Sequence, residues 1–183
     1  MNIKNISILS FLFIGLISVT SCKKEDPIIP NEEELITTLT YTLTPVAGGD
    51  PVVLKFRDLD GDGGDAPVHT TGTLSANTSY NGSIELLNET VSPVDDITQE
   101  VNDESDQHQF FFEFDSADAQ VDYADEDANG NPVGLSTSLT TGDASSGTLT
   151  IVLRHQPNKP NDGTLADAGG ETDIQITFDF VIE

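Results

Sequence analysis

The last stretch of the chain constrains the fold most. Ile174, Ile176, Phe178, Phe180 and Ile182 alternate with Asp173, Gln175, Thr177 and Asp179. A helix would scatter these apolar residues around its circumference, whereas a strand puts them all on one face. The same period of two recurs upstream. Leu39, Tyr41 and Leu43 alternate with threonines, Leu54 follows Val52 and precedes Phe56, and Tyr80 to Leu87 forms a third segment. His108, Phe110, Phe112 and Phe114 share one parity, and so do Leu149, Ile151, Leu153 and His155. Clusters of Gly, Asn, Asp and Pro at 47–51, 60–67, 129–132, 157–163 and 169–170 separate these segments. A strand with one apolar face must cover it. About eight short strands of this kind predict an all-β, antiparallel two-sheet β-sandwich over residues 35–183, immunoglobulin-like or similar. One short helix interrupts it. Ser92 stands as an N-cap with Pro93 at the first position, and Val94, Ile97 and Val101 fall at helical spacing.

The amino terminus carries an address. An apolar run from Ile6 to Val19 follows Lys4 and ends in Thr20-Ser21-Cys22. It is shorter than the roughly 20 residues of a membrane-spanning helix and has the layout of a secretory signal. Cysteine after small residues resembles the bacterial lipobox, in which the thiol is acylated and becomes the new terminus. Residues 1–21 are therefore expected to be removed as a lipoprotein signal peptide. Cys22 is the lipidation site, and residues 22–34 form a tether through Pro27 and Pro30. Cys22 is the sole cysteine, so no disulfide braces the domain. Cys22-Lys23-Lys24-Glu25-Asp26 also resembles the tag that exports some Gram-negative lipoproteins to the cell surface. Position 23 is not the aspartate that retains others at the inner membrane. The expected location is the outer membrane, at the cell surface, with its periplasmic face as the alternative.

Charge narrows the partners. Once Lys4 leaves with the signal, six basic residues face 32 acidic ones. Such a surface repels nucleic acid and attracts cations, and it also keeps a protein soluble.

Two acidic loops offer cation ligands. Asp58, Asp60 and Asp62 followed by Gly63 match the first half of an EF-hand calcium loop, in which alternate carboxylates converge on a hard cation. His69 stands at the position of the closing glutamate, so Asp65 or a distant acid has to complete the shell. Asp125, Asp127 and Asn129 before Gly130 repeat the spacing, with Ser136 at the closing position. Ca²⁺ is the first cofactor these loops suggest, and an Asp- and Gly-rich hairpin turn is the plain alternative. His108 and His155 each sit at one end of an apolar face. If their strands are neighbours the imidazoles meet, and with His69 or a carboxylate they form a Zn²⁺ or Cu²⁺ site. Half-buried, hydrogen-bonded histidines are the alternative. No nucleophile elbow, His-Glu-x-x-His or phosphate loop occurs, which points to a protein that is not an enzyme.

Several segments carry a family resemblance: Thr38 to Pro45, Tyr80 to Glu89, His108 to Phe112, Gly130 to Gly134, Leu153 to Lys159 and Ala168 to Asp173. They resemble short acidic surface lipoproteins of Gram-negative bacteria, often labelled "type 1 periplasmic binding fold superfamily". That label implies two α/β lobes, whereas helices do not alternate with strands here. The resemblance implies capture of a solute and its delivery to a TonB-dependent transporter. The expected function is thus a membrane-anchored, non-enzymatic binding lipoprotein for a cation or metal complex. The alternative is a structural or adhesin-like envelope domain with calcium-stabilised loops.

Overall fold

A computed structural model of the chain describes residues 34–61 and 63–183. The signal peptide, Cys22, nearly all of the tether and Asp62 lie outside the described residues. The strands are β1 (Thr38–Pro45), β2 (Val52–Arg57), β3 (Val68–Thr70), β4 (Thr73–Leu74), β5 (Ser79–Asn88), β6 (Asp95–Asp96), β7 (His108–Asp115), β8 (Ala119–Tyr123), β9 (Ser136–Thr141), β10 (Ser145–His155) and β11 (Glu171–Ile182). Helices α1 (Ile97–Asp103) and α2 (Leu165–Ala168) complete the list. One sheet runs β3-β2-β1-β5-β9-β8 with β6 beside β5, and the other runs β4-β11-β10-β7. All pairings are antiparallel except that of β11 with β4. The all-β two-sheet sandwich read from the alternation is the fold observed.

Alternation builds the core directly. Leu39, Tyr41 and Leu43 of β1, Tyr80, Ile84 and Leu86 of β5, Leu149, Ile151 and Leu153 of β10, and Phe178 and Phe180 of β11 are buried in one cluster. A buried Phe or Leu contributes about 1.5–3 kcal/mol relative to exposure, so this interior holds the unbraced domain together. The outer face of the four-stranded sheet is covered as well. Phe111 and Val152 pack there with Ala168 and Leu165 of α2, a helix of one turn that the sequence pattern did not indicate. Two-residue strands and the Ser/Thr-rich β9 raise the strand number above the expected eight, because backbone pairing holds segments with little apolar alternation.

The first helix begins later than its sequence signals suggest. Asp95 and Asp96 pair with Asn88 and Leu87, so they cannot be the first turn. Asp96 is the N-cap, and its carboxylate accepts the Thr98 N–H at 3.1 Å. Ile97 and Val101 are buried, whereas Val94 is exposed. The threonine hydroxyl clamps α1 to β5, accepting the Leu86 N–H at 2.8 Å and donating to the Leu86 carbonyl at 3.1 Å.

Gly82 shows how closely β1, β5 and β9 approach. Tyr41 Oη and Thr137 Oγ1 lie 2.7 Å apart in a buried hydrogen bond, and a Cβ on Gly82 would collide with both residues. Gly82→Ala is expected to cost about 1–3 kcal/mol by overpacking. Urea denaturation followed by circular dichroism measures this, and an unchanged midpoint would show that the contact relaxes freely.

Candidate metal centre

The four-stranded sheet brings the two C-terminal histidines together. In the β7–β10 register His108 lies directly opposite His155. Same-face parity then stacks the imidazoles, with centroids 4.5 Å apart and planes 26° apart. Both residues are buried. His108 Nδ1 lies 3.1 Å from the Glu104 carbonyl. A carbonyl can only accept, so Nδ1 carries the proton, and in the neutral ring Nε2 presents its lone pair. Burial favours the neutral ring, holding His108 below the usual imidazole range despite the carbonyl bond.

A β-bulge supplies a carboxylate. Leu153 opposes Ile174, but Arg154 opposes Thr172, so β11 carries one extra residue at Asp173. Strict alternation would place Asp173 on the wet face. The bulge re-aims it inward, which is what such an insertion does to a strand. Its side chain is fully buried, with Oδ2 3.8 Å from His108 Nε2 and Oδ1 3.8 Å from His155 Nδ1. Those two nitrogens have no hydrogen-bond partner among the described residues.

The helix adds more acid. Glu104, the C-cap of α1, offers a carboxylate oxygen, and this atom and one ring nitrogen from each of His108 and His155 lie within 4.8 Å of one another. Glu34 shares a hydrogen bond with Glu100. Burial first, and then the neighbouring charges of Glu100, Asp173 and Glu104, push the Glu34 carboxyl up to about 7. Outside, Asp95, Asp96, Gln99, Glu100, Asp103 and Glu104 line a cleft of about 420 Å³ with no basic side chain. Imidazole and carboxylate donors around a neutral, tautomer-fixed ring suit a divalent transition metal.

The remaining sequence candidates lie elsewhere. His69 is exposed on β3, its ring packed edgewise on Phe56 at 5.4 Å and Phe178 at 5.8 Å. Glu104 and Asp173 thus stand where His69 was one expected third partner. In the first acidic loop Asp58 accepts the N–H groups of Asp60 and Gly61 at 3.3 and 2.9 Å. Asp60 accepts the Asp65 N–H at 2.8 Å. In the second, Asp125 accepts from Gly134 and Ser136 at 2.7 and 2.9 Å. Asp127 accepts the N–H groups of Asn129 and Asn131 at 2.8 and 2.9 Å, and Lys159 Nζ lies 3.3 Å away. The Lys159 ammonium, which also donates to the Ser105 carbonyl at 2.6 Å, stands beside the carboxylate that a calcium ion would use. Asn129 contributes its backbone N–H rather than its amide oxygen. These loops are organised around their own donors.

Glu104 and Asp173 were not singled out from sequence. Glu104 precedes His108 by four residues, a spacing that would have flagged it. A bulge leaves no local mark in the β11 alternation, so Asp173 read as an ordinary wet-face residue.

Comparison with protein-family models, with curated proteins and with solved structures finds no match.

Burial alone would raise the Asp127 carboxyl, but the N–H groups of Asn131 and Asn129, with Lys159, more than offset it and hold it at about 2. Its stabilisation is therefore full above the ordinary Asp range and is lost as pH falls from about 4 through 2. Asp127→Asn is expected to cost on the order of 1–2 kcal/mol at pH 6, shrinking towards zero near pH 2. Urea titrations of both proteins across that range measure the difference, and a pH-independent difference would count against the assignment.

Proposed function

We propose that this chain is a non-enzymatic binding lipoprotein that captures a divalent transition metal, zinc or copper in preference to calcium, at His108, His155, Asp173 and Glu104. The observation that carries the reading is the His108 ring. Its Nδ1–H is spent on the Glu104 carbonyl, and its buried Nε2 faces the Asp173 carboxylate across 3.8 Å. A lone pair facing a carboxylate repels it, and a cation between them turns the repulsion into two bonds. The acidic cleft beside Glu104 supports the reading, since a field of one sign concentrates cations at its mouth. An acylated Cys22 at the outer membrane and hand-over to a TonB-dependent transporter are the setting that the sequence resemblance supports. Among the described residues no helix is long and apolar enough to cross a membrane.

A second reading, a structural or adhesin-like envelope domain, draws on the two acidic loops, whose hydrogen bonds already close their turns.

Calorimetry and thermal shift with zinc, copper and calcium separate the two. Capture predicts that zinc and copper bind and raise Tm. It also predicts that His108→Ala and His155→Ala each weaken binding by more than the roughly 10–100-fold that loss of an outer-shell partner costs. Absence of heat with both zinc and copper would remove the capture reading.

A further inference from the structure

Building on that capture reading, we propose that the centre takes two divalent cations bridged by Asp173, one on His108 and the other on His155. Asp173 does not present one oxygen to both rings. Its Oδ2 faces His108 Nε2 and its Oδ1 faces His155 Nδ1, each at 3.8 Å. Zinc bonds to nitrogen and to carboxylate oxygen are both about 2.0–2.2 Å, so each gap has the width of one ion between two ligands. A carboxylate with one oxygen on each of two metals is the bridge of two-metal centres, whose ions sit about 3.5–4 Å apart. Imidazoles stacked at 4.5 Å are spaced to serve such a pair.

The two ring nitrogens are an independent sign of a ligand. Their side chains are 0% and 6% exposed, and neither nitrogen has a hydrogen-bond partner among the described residues. The number of ions follows from the two separate gaps, one at each oxygen of Asp173. Asp173, Glu104, Glu100 and Glu34 bring four carboxyl groups to this end of the sandwich. Glu34 and Glu100 already share a hydrogen bond, a carboxyl pair that a second ion can open and ligate. The roles follow by position. Asp173 bridges, Glu104 serves the histidine pair, and Glu34 with Glu100 completes the outer side.

The test is zinc stoichiometry on the full chain, by elemental analysis after gel filtration and by calorimetry, with copper(II) loading read by electron paramagnetic resonance. The expected result is two ions per chain and a copper spectrum showing spin coupling between neighbours. Asp173→Asn, with its fold verified by circular dichroism, is expected to lose the coupling. Glu34→Gln, at the outer side, is expected to weaken the second ion at least tenfold and to leave the first. One ion per chain overturns the pair while leaving capture intact, and no ion overturns both. Two ions with an uncoupled copper spectrum place the second on the acidic surface and overturn the bridge. Should Asp173→Asn fail to fold, the wild-type copper spectrum decides alone.

Discussion

Cross-strand register in the four-stranded sheet is the constraint from which the rest follows. β7 and β10 stay in step from Asp115 opposite Thr148 to His108 opposite His155. Phe114 with Leu149, Phe112 with Ile151 and Phe110 with Leu153 fix that step, because a slip of one residue would turn these side chains out of the core. The histidines are the last pair of the same ladder. The hydrophobic effect thus sets the distance between two imidazoles that are themselves polar, and the single bulge in β11 adds Asp173. Core packing and site geometry are one problem in this domain.

The acids divide into two populations by their supply of donors. Asp127 is surrounded by N–H groups and Lys159, and its carboxyl is held at about 2. Glu34 has other carboxylates as neighbours, and its carboxyl is pushed up to about 7. A carboxylate saturated by donors stabilises its loop and has little left for an ion. A carboxylate crowded by its own kind gains most from one. This contrast distinguishes the rim at His108 from the acidic turns better than any count of acidic residues in a chain of net charge −25.

Much of the fold was legible because period two has one physical meaning, a sheet face on a core. The long strands β1, β2, β5, β7, β10 and β11 all follow from it. The weakly patterned β8 and β9 are held by pairing with neighbours, and α2 by the outward Phe111 and Val152 that it covers. At α1 the Ser92-Pro93 signal lost to strand pairing at Asp95 and Asp96. The meeting of His108 and His155 was readable from parity once their strands proved adjacent. Asp173 was hidden because register is a property of two strands, not one. Lys159 beside Asp127 was hidden because the contact spans 32 residues.

The most direct measurement of the central claim is anomalous X-ray diffraction from crystals of the protein grown with zinc. The expected result is anomalous density between His108, His155 and Asp173. Zinc found only at the loops around Asp58 and Asp125, with the imidazoles bare, would contradict it.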